Sequence, residues 1–166
     1  MKNRTPATTR KKVVVLLLDR TSIKGYLDPL ALGLTQEIDL LTPDGEYRSI
    51  DLENVKSVYF VREFVEPFEP ERKTFLSRPK LDGLWVRLLF RDDDLMEGIV
   101  SNDLLDLLDK GVHLTPPDLH GNSLRMFIPR SALSEMRVLG VVGAARHVQR
   151  ETAKAAAAAQ PKLFNE

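Results

Sequence analysis

Residues 13–43 return in altered form as residues 86–116, and an internal echo of this kind constrains a fold more than any single motif does. Val13 to Gly25 (VVVLLLDRTSIKG) aligns with Val86 to Gly98 (VRLLFRDDDLMEG) at an offset of 73. Leu41-Thr42-Pro43 meets Leu114-Thr115-Pro116 at the same 73. Further on, Ile50 aligns with Ile128 and Val58 with Met136, both at 78, which places a five-residue insertion in a loop of the second copy. The chain therefore reads as two similar small domains in tandem.

Local chemistry predicts what each copy folds into. Val13–Leu18 is aliphatic and largely β-branched, hence a strand, and it is apolar on both faces, so both should be covered. Its echo alternates: Val86, Leu88 and Phe90 face one way, Arg87, Leu89 and Arg91 the other, as in a half-exposed strand. Each runs through an acidic or polar turn into a second strand that carries Gly25 or Gly98, where a small sheet bends over itself. Residues 28–37 and 101–110 are variable middles, the second predicted as a short helix with Asn102 or Asp103 as cap and Gly111 as stop. Third strands end in Thr-Pro turns at Pro43 and Pro116, and fourth strands follow at Tyr47–Ile50 and Leu124–Ile128. A single helical turn then leads each copy into a fifth strand.

Between the copies, residues 62–83 contain Pro67, Pro70 and Pro79 and should be extended. Phe64, Phe68, Phe75 and Leu76 imply that this linker packs along a folded unit. After Gly143, Ala155–Ala159 favours helix by composition.

The succession of apolar strand, Asp-containing turn, glycine-bearing strand and short turn before the last strand resembles the Sm-like (Hfq-like) small barrels. With DRTSIKG upstream, VKSVYFVREF (Val55–Phe64) more closely resembles an uncharacterised bacterial family of duplicated domains of that shape. The resemblance covers most of residues 12–140 and implies an all-β fold: two tandem five-stranded Sm/SH3-like small barrels, a C-terminal Ala-rich helix and disordered tails. The implied division is a disordered basic arm (1–11), a first barrel (12–64), a linker (65–83), a second barrel (84–140), a helix (141–160) and a tail (161–166). Sm-like proteins carry Asp-Gly in the first turn; here Asp19 is followed by Arg20 and Asp92 by Asp93. Their uridine pocket uses an Arg-Gly pair near strand four. Tyr47-Arg48-Ser49 and Leu124-Arg125-Met126 supply the arginine without the glycine, so the resemblance does not carry RNA binding with it.

Composition narrows the function classes. Lys+Arg and Asp+Glu are both 24, so the net charge is zero, without the basic excess that phosphate neutralisation calls for. Cysteine is absent, which excludes disulfides and thiolate metal sites and suits a reducing cytoplasm. The run Val13–Leu18 is too short for a membrane span. His113, His120 and His147 lack metal-ligand spacing, and Asp92-Asp93-Asp94 reads as a solvated hairpin turn rather than a cation loop. No serine sits in a Gly-x-Ser-x-Gly elbow, and no glycine-rich phosphate loop occurs. Arg10-Lys11-Lys12 forms part of a basic arm that could touch phosphate or anionic lipid.

The expected function is that of a non-enzymatic, cofactor-free and metal-free protein-interaction or scaffold module, able to self-associate through exposed strand edges. The alternative is RNA or single-stranded nucleic-acid binding through a barrel face. A second alternative lies in the tail: Gln160, Leu163 and Phe164 match the spacing of the bacterial sliding-clamp-binding pentapeptide, which presents two apolar side chains to a pocket.

Overall fold

The computed structural model of the chain describes residues 9–70 and 72–143. Ten strands appear: β1 (Lys11–Leu17), β2 (Ser22–Leu27), β3 (Glu37–Leu41), β4 (Tyr47–Asp51) and β5 (Val55–Val61), then β6 (Gly83–Phe90), β7 (Leu95–Val100), β8 (Gly111–Thr115), β9 (Ser123–Pro129) and β10 (Leu133–Val142). One short helix, α1 (Leu104–Leu108), precedes β8, with Asp103 accepting from the Leu105 N–H as its cap. Single 3₁₀ turns stand at Pro29–Ala31, Leu52–Asn54 and Arg130–Ala132. The last two join the fourth strand to the fifth in each half, where the sequence predicts one helical turn. Gly111 does not stop the helix: Asp109 caps it, and Gly111 opens β8.

All strands pair antiparallel in one open sheet, in the order β10-β6-β7-β8-β9-β5-β1-β2-β3-β4. The two halves are therefore not separately closed by strand pairing. Closing a five-stranded unit would require its fourth strand to bond its fifth. Here the edge of β5 that does not bond β1 is taken by β9 from the other half. The expected pair of barrels is replaced by one continuous ladder with β4 and β10 at its ends.

Equivalent strands keep equivalent registers. Val13 faces Gly25 and Phe60, while Val86 faces Gly98 and Val138. Arg20 and Asp93, again 73 apart, both sit at positive φ (72° and 64°) in the first turn, the left-handed region where glycine fits without strain. The third strand departs from the sequence alignment by one residue. Ile38 faces Ile50 and Val112 faces Ile128, which pairs Leu40 with Leu114 at an offset of 74. The glycines agree. A Cβ on Gly25 would meet Leu40 Cγ at 2.7 Å, and one on Gly98 would fall inside the Leu114 side chain. Close approach of strand three over strand two, rather than turn geometry, is what requires glycine at both places.

Two apolar clusters result. One gathers Val13, Val15, Ile38, Leu40, Val55, Val58 and Phe60 and also receives Phe127 from β9. The other gathers Val86, Leu88, Phe90, Val112, Leu114, Met126 and Ile128 together with Val14, Tyr59 and Val61. Val13, Val14 and Val15 are thus all buried, as a strand covered on both faces should be. On β6, Val86, Leu88 and Phe90 point inward while Arg87 is exposed.

The linker forms no regular secondary structure among its described residues and packs as expected in part. Phe64 and Phe68 lie against the second cluster, and Phe75 meets Trp85 edge-on at 6.3 Å. Leu76 instead is 80% exposed. The basic arm is shorter than its expected span, because Lys11 already belongs to β1. Likewise Val141 and Val142 complete β10, so no helix begins at residue 141; the remainder of that expected helix lies outside the described residues.

Candidate functional site

Three places on this framework gather polar chemistry. The first joins the two halves. Lys56 on β5 is buried (side chain 9% exposed), with Nζ donating to Asp92 Oδ2 at 2.6 Å and Asp94 Oδ2 at 2.9 Å. Its ammonium lies 4.9 Å from the Phe90 ring centroid. From the linker, Lys73 adds bonds of 2.7 and 2.9 Å to Asp94. Burial raises the carboxyl pKa of both aspartates. Hydrogen bonds from Lys56 to Asp92, and from Lys73 and Lys56 to Asp94, outweigh it and hold both below the usual carboxylate range. The acidic turn closes the β6–β7 hairpin with Asp93 exposed, as the sequence suggests, but Asp92 and Asp94 also make it an ion-pair anchor. The cation that neutralises it lies 36 residues upstream of Asp92, beyond any local pattern.

Glu97 on β7 forms the second. Its buried carboxylate accepts from Arg87 Nη2 (2.9 Å), the Phe75 N–H (3.1 Å) and Trp85 Nε1 (3.2 Å), which ties the linker to the sheet. Burial pushes its pKa up, and these three donors more than reverse the effect. In both clusters these charges are paired with one another, and their bonds tie segments distant in the chain together.

The third place is open. A groove of about 550 Å³ runs along the junction of β1, β5 and β9, lined by Arg10, Lys11, Lys12, Tyr26, Phe60, Val61, Arg62, Leu124 and Arg125. Arg125 stacks on Phe60 at 4.4 Å, and Arg10 lies over Tyr47 at 5.2 Å. Lys12 is held by Glu63 at 2.9 Å. Residues 10–12 are therefore ordered on and beside β1 rather than forming a free arm.

Other candidates from the sequence come to little. His113 packs on Phe127 with ring centroids 5.1 Å apart, its pKa lowered by desolvation and then by Arg125; His120 is in an exposed turn. His147 lies outside the described residues, as do Gln160, Leu163 and Phe164 of the tail. Among the described residues, no group of three or more His, Asp or Glu could hold a metal ion, and no helix is long and apolar enough to cross a membrane.

The ends of the sheet had no signal of their own in the sequence. β10 exposes Met136 (36%), Val138 (52%) and Val141 (43%), and β4 exposes Tyr47 (69%). Neither strand has a second strand neighbour among the described residues.

No curated protein and no solved structure matches the chain. One family model does, over residues 9–140, from the start of β1 almost to the end of β10. By that match the chain belongs to a family of unknown function, DUF6982.

Proposed function

We propose that this chain is a non-enzymatic protein-interaction module of the cytoplasm, made of two duplicated Sm-like units fused edge to edge, and that it works by offering the ends of its sheet to partners. The equivalent registers, the matched positive-φ turns and the paired Gly25–Leu40 and Gly98–Leu114 contacts support the duplication. The observation that carries the functional reading is the pair of edges left without a second strand among the described residues, β4 and β10, with Tyr47 on one and Met136, Val138 and Val141 on the other. Open strand edges pair readily, and proteins usually cover or charge them. β10 carries the exposed Glu135–Arg137 pair but also leaves Met136, Val138 and Val141 in water, and these apolar side chains favour strand addition as its use. A photo-crosslinking side chain placed at Val138 or Tyr47 in living cells should give discrete protein adducts, and the same group at exposed Leu105 on α1 should give none. Failure of both edges to capture any protein refutes this reading.

A second reading is favoured by the groove. Arg10, Lys11, Lys12, Arg62 and Arg125 gather beside half-buried Tyr26 despite zero net charge, a combination suited to single-stranded RNA through phosphate contacts. Fluorescence anisotropy with a labelled oligo-uridine should then show binding that weakens with salt and with Arg125→Ala. No binding at low salt removes this reading.

A further inference from the structure

The sheet contains, in its own middle, a worked example of how its ends could meet. β5, the fifth strand of the first half, pairs antiparallel with β9, the fourth strand of the second half: Val58 faces Phe127, Tyr59 faces Met126 and Phe60 faces Arg125. Phe127 crosses this junction to enter the first half's core. The two strands left open among the described residues are the matching pair, β4 as a fourth strand and β10 as a fifth. Every chain therefore ends in one copy of each surface that its centre has already joined.

We infer that the partner of these edges is a second copy of this chain, with β10 of one molecule adding to β4 of the next in the register of β5 with β9. This rests on the edge-interaction reading above and names its occupant. The registers translate the junction residue by residue. Val13–Phe60 and Val86–Val138 make Met136 and Val138 the equivalents of Val58 and Phe60. Ile38–Ile50 and Val112–Ile128 make Tyr47 and Ser49 the equivalents of Arg125 and Phe127. Between chains, Val138 then faces Tyr47, Met136 faces Ser49, and Arg137 faces Arg48. Val138 and Tyr47 are 52% and 69% exposed in the single chain, and this pairing covers both. On the opposite face the two arginines are like-charged, with Arg137 already paired to Glu135 at 2.7 Å. Two different surfaces meet, so the contact is heterologous and repeats from chain to chain into a ring or a filament.

Full-length protein tests this by sedimentation velocity across a concentration series. Wild type should associate. Val138→Asp and Tyr47→Asp each disable one edge, and both sites are solvent-exposed, so Trp85 fluorescence should remain native. Each variant alone should be monomeric. Their equimolar mixture should form dimers and nothing larger, because the intact β10 of one can meet the intact β4 of the other. Arg48→Glu turns the like-charged pair into an attractive one and should tighten association by roughly tenfold. A wild type that stays monomeric, a single-edge variant that still associates, or a mixture that does not dimerise each overturns the head-to-tail pairing. If wild type is monomeric while Val138 still crosslinks to another protein in cells, the inference fails and the broader interaction reading stands. If neither edge captures anything, both fail.

Discussion

Replacing Lys56 by methionine tests whether the two halves are held by a buried ion cluster. Methionine keeps most of the length of the stem and removes the charge, with its ion pairs and its contact with the Phe90 ring. At contact distances of 2.6 and 2.9 Å, the gross attraction is about 6 kcal/mol per pair at an effective dielectric of roughly 20, and most of it is offset by desolvation of the three ions. Orphaning a fully buried partner costs about 3–5 kcal/mol. Asp92 and Asp94 keep some water (side chains 21% and 31% exposed), and Asp94 retains Lys73, so the expected loss is about 2–3 kcal/mol. Urea unfolding at constant m-value measures it. The pH dependence gives an independent check. In the wild type the two carboxyls titrate below their unfolded value, so their contribution is present above that value and is lost as pH falls through the folded one. In the variant, desolvation remains and the main cation is gone, so protonation now relieves the folded state. The deficit should shrink between pH 7 and about pH 4.5, and adding Asp92→Asn with Asp94→Asn should recover at least half of it. A deficit below about 0.5 kcal/mol, in the range of an exposed pair, or one that does not change with pH, refutes the reasoning.

Four further outcomes are expected. Gly98→Ala drives a methyl into Leu114 and should cost about 1–3 kcal/mol by thermal unfolding, a loss that Leu114→Ala in the same chain should reduce in a double-mutant cycle. Glu97→Ala leaves the Trp85 and Phe75 N–H groups without their acceptor; stability should fall by about 2–3 kcal/mol, with a red shift of Trp85 emission and faster tryptic cleavage at Lys73. Arg20→Gly relaxes a left-handed residue and should raise stability by about 1 kcal/mol in calorimetry. Tyr59, pushed up to about 12 by burial, should ionise only near that pH in an absorbance titration; because its folded pKa exceeds the unfolded one, stability should decline as pH rises from the unfolded value toward about 12.

Much of the strand pattern was legible in the residues themselves. Alternation at Val86, Leu88 and Phe90, the cap at Asp103, and the glycines at 25 and 98 within second strands are local signals, and the structure places them as expected. The one-residue slip of the third strand was not legible, because Leu41-Thr42-Pro43 and Leu114-Thr115-Pro116 match in letters while the fold pairs Leu40 with Leu114. Nor was the role of the acidic turn, whose cation arrives from a distant strand. The open groove was hidden for the same reason: Arg10–Lys12, Arg62 and Arg125 are far apart in the chain and cancel in the net charge.

Sequence alone determined which segments are strands, where they turn and which face of each is apolar, since side-chain periodicity and turn chemistry act over a few residues. Tertiary structure decided which edge bonds which. Backbone N–H and C=O groups are the same on every strand, so nothing in the letters of Val55–Val61 distinguishes closure onto β4 from continuation onto β9. Only the placement of the second half against the first made that choice, and with it left β4 and β10 as the ends of the sheet.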